Sequence, residues 1–450
     1  MMKIRNILAS LAVLTGTASF AQLPDAATIA PKMYPGWNLG NTMEAGSKTN
    51  NWTNNGGVTA ERAWQTTTTT QEVIDFVKAQ GFKSVRIPTA WVMGHITDST
   101  NVTIDAAWMA RVKEIVDYCV NDGLYVLLND HWDGGWLENS FSEISADTVS
   151  ANSEKLRRLW TQIANEFKSY DEHVLFGGLN EPAAENQSQT DVLLQYEQVF
   201  IDAVRATGGN NATRTLVVQG PSTDIEKTGK WYDVTKLTDS AKGALMVEVH
   251  YYTPPQFTGI WENNAPFYFW GAANHVPSNN KWTKYNATWG EESELQGYFQ
   301  LMKTKFADKG YPVLLGEYGA NWRSLSNSSV QKKHDASIKL FHEVVCREAI
   351  NHGLIPFVWD INVANQNGTN GVMTVINRSA KTVFCTPAME GITEGVKAAV
   401  WGGPTTGIER IPFDSSADKK GSQAYNILGQ RVSPDAKGLV IIGGKKYVRR

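Results

Sequence analysis

Residues 177–182 read GGLNEP, directly after the apolar run Val174, Leu175 and Phe176. An apolar run bounded by Gly and Pro has the pattern of a buried strand. Pro182 has no N–H to continue a sheet ladder, and it biases Glu181 towards extended backbone. An amide and a carboxylate, Asn180 and Glu181, are thus expected to stand stiffly at a strand's carboxyl end. Glu317, in VLLGEYG at 313–319, follows a second apolar run in the same way. Two carboxyl groups facing each other across a cleft suit cleavage of a glycosidic bond. One must be protonated to deliver a proton to the leaving oxygen, and the other ionised to attack carbon or activate water.

These residues need elements to hold them. Strand candidates are GWNLG at 36–40, KSVRIP at 83–88, LYVLLND at 124–130, HVLFGGLNEP at 173–182, TLVVQG at 215–220, ALMVEVHYY at 244–252, VLLGEYG at 313–319 and IPFVWD at 355–360. Helical patterns lie between most of them, at 71–80, 105–121, 153–169, 191–207, 291–308 and 330–351. Strand and helix in alternation predict a parallel sheet, and about eight such units predict a closed (β/α)8 TIM barrel. A doubly wound open sheet would want a Gly-rich phosphate loop after the first strand, and GWNLGN is not one.

In a barrel the carboxyl ends of the strands share one face, where active sites sit. That face would carry Asn38, Asn41, Arg86, His131, Asn180, Glu181, His250, Tyr252, Glu317, Trp359 and Asp360. Singly, each has a bland account: Arg86 as a buried ion-pair partner, His250 as a hydrogen-bonded core histidine. Together on one rim they are not explained by packing, because charges in a partly buried mouth are costly. The carboxylate closer to Arg86 should be the anionic one.

The 450 residues are 42% hydrophobic and 19% charged, as in soluble globular proteins, and the net charge of -3 gives no electrostatic basis for binding nucleic acid. The 16 Trp, 15 Tyr and 16 Phe stand out, many of them in Gly- and Asn-rich stretches. Sugar rings have apolar faces on which Trp can stack and polar edges that Asn, His and Tyr can hydrogen-bond. Cys119 lies on an apolar helical stripe, a Cys346–Cys385 bridge is left open, and none of the three cysteines has metal-ligand spacing.

GWNLGNT at 36–42, GGLNEP at 177–182, HYY at 250–252, GEYG at 316–319 and FVWD at 357–360 resemble glycoside hydrolase family 5. The opening motif is most similar to its subfamily 4 of endo-β-1,4-glucanases and xyloglucan-active enzymes, and the resemblance runs from about residue 34 to 402. It implies a metal-free, cofactor-free retaining hydrolase. Glu181 would be the acid/base and Glu317 the nucleophile. Asn180 would hold the sugar's 2-hydroxyl, Arg86 would support the nucleophile, and His250 and Tyr252 would orient the glutamates. Trp359 would floor the subsite where cleavage occurs; Asn38 and His131 match supporting positions. Relatives often carry a second histidine where this chain has Trp132, which is expected to stack on a sugar. The implied substrate is a β-1,4-glucan, with xyloglucan, mixed-linkage glucan, mannan and xylan as alternatives and a non-catalytic glycan-binding barrel as the rival outside enzymes.

Several residues are weaker candidates. Glu44 is expected either to meet a sugar hydroxyl or to be solvated, and Asp360 to orient its neighbours. Trp52, Trp91, Trp136, Trp261 and Trp270 are expected to divide between subsites and core. The aromatic segment 253–290 reads as a long functional loop.

The ends differ in kind from the middle. Lys3 and Arg5, an apolar stretch from Ile7 to Leu14 and small residues at Ser19 and Ala21 predict a secretory signal over 1–21, too short to span a bilayer. The hydrolase domain is placed at 22–403 and a linker at 404–423. The segment 424–450 reads as a small β hairpin with a basic end, resembling the sorting tails of a Gram-negative secretion system. The expected product is an exported monomer with no membrane span.

Overall fold

The computed structural model describes residues 22–259, 265–364 and 371–403, together with 424–425, 431–433, 438–442 and 445–449. The expected signal segment, the 404–423 linker and Trp261 lie outside the described residues.

Each apolar run expected as a strand is one: β1 (Gly36–Asn38), β2 (Ser84–Ile87), β3 (Tyr125–Asn129), β4 (Val174–Gly177), β5 (Leu216–Gln219), β6 (Leu245–Tyr251), β7 (Val313–Tyr318) and β8 (Leu354–Val358). They pair in parallel and close as a barrel, β8 returning to β1. The helices of seven residues or more are α1 (Gln71–Ala79), α2 (Ala106–Asn121), α3 (Ala146–Glu166), α4 (Gln187–Ala206), α5 (Ile225–Trp231), α6 (Glu292–Lys305), α7 (Ser328–Asn351) and α8 (Thr386–Ala398). The α3 helix begins about two turns before the expected start, where Ser145 caps it by accepting the Thr148 N–H. Polar residues in those turns hide the start from a search for apolar periodicity. The α8 helix was not among the expected helical stretches. A Cβ on Gly391 or Gly395 would stand 2.2 Å or 2.4 Å from α7 carbonyl oxygens, so these glycines let the two helices touch.

Alternation along the strands sorts side chains into two cores. Val126, Val174, Val218, Val247 and Leu315 face the helices. Leu127, Leu175, Val217, Met246, Leu314, Ile355 and Phe357 fill the barrel, and Ala26, Ile29, Ala30 and Met33 plug its amino-terminal end. The barrel's other half is polar, so the apolar layer is the floor on which the mouth is built.

One strand breaks the alternation. Val249 of β6 pairs with Leu315 of β7, but the next residue, His250, pairs with Glu317. On the other side Pro356 pairs with Leu315 and Val358 with Tyr318. Gly316 is therefore an extra residue in β7, a bulge that turns Glu317 into the barrel. A Cβ on Gly316 would lie 1.9 Å from Glu248 Oε1, so only glycine fits there.

Three expectations change. Cys119, Cys346 and Cys385 are all buried and free, with no bridge. Among the described residues of segment 253–290, many rings are packed rather than free: Tyr268 and Phe269 cluster with Val276, Leu325 and Val330, while Phe267 and Trp270 join the main core. The tail residues form a four-stranded antiparallel sheet, with strands Ala424–Tyr425, Arg431–Val432, Gly438–Ile442 and Lys445–Arg449, rather than a hairpin. Among the described residues no helix is long and apolar enough to cross a membrane.

Asp360 closes the seam between β8 and β1. Its Oδ2 accepts from Trp37 Nε1 at 3.0 Å, Val375 N at 3.1 Å and Ile376 N at 2.8 Å, and Arg378 lies 3.5 Å from its Oδ1. Asp360→Ala leaves these buried donors and the Arg378 charge unpaired. The expected cost is about 3–5 kcal/mol of unfolding free energy, read by urea denaturation.

Candidate active site

Arg86 enters the barrel from β2 with its side chain fully buried. Its Nε is 2.9 Å from Glu248 Oε1 and its Nη1 is 2.8 Å from Glu317 Oε1. Nη1 also donates to Asn38 Oδ1 at 3.1 Å, and Nη2 to Asn180 Oδ1 at 2.8 Å. Burial alone would lower the guanidinium's pKa, but the Glu248 and Glu317 charges raise it. Asn38 spans the next gap: its Nδ2 donates to the Gly316 carbonyl at 2.9 Å and the Val358 carbonyl at 3.2 Å. It thereby fixes the bulge and supports the site from beneath the cleft.

Above this layer stands the acid pair. His250 Nδ1 lies 2.7 Å from Glu181 Oε1 and 3.7 Å from Glu317 Oε2, while its Nε2 is 3.3 Å from Glu248 Oε1. Burial works against a charged imidazole here, yet Glu317, Glu181 and Glu248 together push its pKa up to about 10. His250 is therefore an imidazolium donating from both nitrogens. One oxygen of Glu181 and one of Glu317 lie within 4.8 Å of each other and of His250. That trio has the spacing of a cation site, but a proton already occupies the imidazole's lone pair.

The two glutamates sit in different surroundings. Glu317 is enclosed, with 8% of its side chain exposed, whereas Glu181 is 41% exposed and open to the cleft. Burial raises the Glu317 pKa above its ordinary value; His250 and Arg86 pull it back and Glu181 adds to the rise. Tyr252 Oη donates to Glu317 Oε2 at 2.9 Å, so each oxygen of Glu317 has a fixed donor. The carboxylate beside Arg86 is Glu317.

On the far side of the cleft, His131 stacks parallel to Trp359, ring centroids 5.7 Å apart. Burial, with the Arg86 and His250 charges, keeps His131 well below the usual histidine pKa, hence neutral. Trp132 is half-buried and its ring lies 6.2 Å from that of Trp64, an exposed tryptophan that sequence reasoning passed over. Trp91 and Trp270 are core, their Nε1 groups donating to the carbonyls of Asn129 and Gly290. Trp52 and Trp136 pack edge to face against each other. Glu44 is neither solvated nor in the cleft: it is buried and accepts the backbone N–H groups of Asn41 and Thr42, and burial pushes its pKa up to about 7.

Two acids were missed. Glu248 alternates with His250 and Tyr252 in ALMVEVHYY, so period two already placed it inside the barrel. Glu138, in the loop after β3, accepts from Glu181 N at 3.0 Å and Asn180 Nδ2 at 3.3 Å. No strand or helix period announces it.

Comparison with known proteins agrees with this geometry. The model of the family described as Cellulase (glycosyl hydrolase family 5) matches residues 43–365. Endoglucanase A of Paenibacillus barcinonensis is 34% identical over 386 residues, spanning 83% of this chain and 90% of the relative. A solved GH5 xyloglucan-specific beta-1,4-glucanase from a ruminal metagenomic library, in complex with XXLG, superposes with a TM-score of 0.77 at 48% identity, covering 87% of this chain and 100% of that one. A GH5-4 broad specificity endoglucanase from Ruminococcus champanellensis, with bound cellotriose, gives a TM-score of 0.69 at 30% identity over 83% of this chain and 99% of that one. With two glutamates on a barrel rim and a family match over most of its length, the chain belongs to glycoside hydrolase family 5.

Proposed function

We propose that the protein is an endo-β-1,4-glucanase acting with retention of anomeric configuration. The observation that carries this is the approach of the Glu181 and Glu317 carboxyls, whose nearest oxygens lie within 4.8 Å. Retaining pairs stand about 5–5.5 Å apart, whereas inverting pairs leave room for water at roughly 6.5–9.5 Å.

Glu317 is the nucleophile. Arg86 holds one oxygen and Tyr252 the other, so the carboxylate is ionised and aimed without free rotation. One of its oxygens attacks the anomeric carbon as the glycosidic C–O bond breaks, and the leaving oxygen takes the proton of Glu181. Glu181 then removes a proton from water, whose oxygen attacks the same carbon and releases Glu317. His250 donates to Glu181 Oε1, which leaves Oε2 to carry the proton in the first step. Asn180 offers Nδ2 to the 2-hydroxyl of the sugar being cleaved, and Trp359 stacks beneath that sugar. Trp132 and Trp64 extend an aromatic surface for further glucosyl units.

The 48% identity to a xyloglucan-specific relative supports xyloglucan as a second reading of the substrate. Reducing-end release from carboxymethyl cellulose, barley β-glucan, xyloglucan, xylan and glucomannan ranks them directly. We further infer export, supported by Lys3 and Arg5 ahead of an apolar stretch that ends in small residues; sequencing the amino terminus of the secreted protein, expected at Gln22, tests it.

Glu317→Gln should leave no turnover above background. Glu181→Gln should lower kcat/KM on polysaccharide by about 10²–10⁴-fold, but far less on a dinitrophenyl cellobioside whose leaving group needs no proton. NMR of early products should show the β anomer first; the α anomer would rule out retention. Since Glu317 must be ionised and burial holds its pKa above the ordinary 4.5, kcat/KM should fall as pH drops through a value higher than that. His250→Asn removes a charge that favours the ionised form, so this acid limb should move to higher pH. A limb that stays in place would remove His250 from that role.

A further inference from the structure

Asn180 and Glu181 are gripped from two sides. From the barrel, Arg86 Nη2 donates to Asn180 Oδ1 at 2.8 Å. From the loop after β3, Glu138 Oε2 accepts Asn180 Nδ2 at 3.3 Å and the Glu181 backbone N–H at 3.0 Å. The Glu138 carbonyl also accepts Ala183 N at 3.0 Å, so the loop and the NEP turn are joined by main chain as well. The loop has its own anchor: Asp133 accepts the backbone N–H groups of Trp91, Val92 and Met93 at 2.7–2.9 Å.

A side-chain amide carries one oxygen and two N–H donors, and a half-turn about its last bond exchanges them. Arg86 fixes the oxygen end. Glu138 takes one N–H, and only one remains to face the cleft. We infer that Glu138 is a positioning residue that locks the Asn180 amide and the Glu181 backbone, so that the second Nδ2–H meets the sugar's 2-hydroxyl as the glycosidic bond breaks. This rests on the reading that Asn180 binds that hydroxyl during hydrolysis.

The surroundings make a casual role for Glu138 costly. Burial, then the nearby Glu181 charge, push its pKa up to about 8, with Glu317 adding to the rise. A carboxyl placed among acids is unfavourable unless the donors it receives matter. Both donors to its side chain belong to the Asn–Glu turn. Contacts to the 2-hydroxyl strengthen in the transition state, and small misplacements of such groups cost about 10²-fold in rate.

The test uses 4-nitrophenyl β-cellobioside and the analogue lacking the 2-hydroxyl on the sugar that bears the nitrophenyl group. Glu138→Ala should lower kcat on the parent compound by about 10²-fold with KM little changed. On the 2-deoxy analogue the loss should shrink to under about tenfold, because the contact that Glu138 positions is already absent. Glu138→Gln, whose side-chain oxygen can still accept both donors, should retain at least about a tenth of the parent kcat. Adding Asn180→Ala to Glu138→Ala should lower kcat little further. Should Glu138→Ala fail to fold, Glu138→Asp carries the comparison, since it keeps the carboxyl group but draws the acceptor back by one methylene. Equal losses on both substrates, or an unchanged kcat in Glu138→Ala, would overturn the role of Glu138 alone. Absence of wild-type turnover on the parent compound would overturn the hydrolase reading and this one together.

Discussion

A guanidinium sealed inside the barrel is the constraint on which the site depends. Arg86 meets two carboxylates, Glu248 and Glu317, and two amide oxygens, Asn38 and Asn180. His250 supplies a second positive charge between Glu248 and the rim acids. Two cations and two buried anions balance, which is what makes burial of any one of them tolerable. The Glu248 carboxyl shows the result: burial opposes its ionisation, yet Arg86 and His250 hold its pKa below the ordinary value. Gln219 adds a hydrogen bond to the other Glu248 oxygen at 2.7 Å.

That balance explains why this work falls to a closed barrel. The members of the network come from β1, β2, β6, β7 and the turn after β4, which lie far apart in sequence and meet only because the sheet closes. The apolar floor of Leu127, Leu175, Val217, Met246, Leu314 and Phe357 excludes water from below. In such a setting fixed dipoles and charges act strongly on developing charge and need little reorganisation. Rigidity of the acid pair is therefore a property of the whole barrel, and the seam at Asp360 serves it as much as the rim does.

The parts legible in the sequence are those under strict period. All eight strands and most strand-end residues could be read, because inward and outward positions alternate and the carboxyl ends share a face. Glu248 was readable by the same rule, two residues before His250. Glu138 was not, because it acts from a loop where no period exists and its partners are defined only by folding. The aromatic 253–290 segment could be read from composition alone. Composition cannot distinguish rings that await a ligand from rings such as Tyr268 and Tyr285, which stack on each other at 4.2 Å. Glu44 looked like a loop acid because the backbone donors it satisfies are invisible in a one-dimensional pattern.

The extra residue at Gly316 has a meaning beyond local geometry. Up to Leu315, odd-numbered residues of β7 face the helices and even-numbered ones face the interior. Continued unbroken, that parity would bury Glu317 against the helical shell, in the apolar layer beside α7. One inserted glycine reverses the parity for the last turn of the strand and hands the carboxylate to the cleft. Regularity, in this strand, is thus a chemical variable. A strand of the same length without the bulge could keep every ladder below the mouth and still present a closed barrel with nothing to attack a sugar.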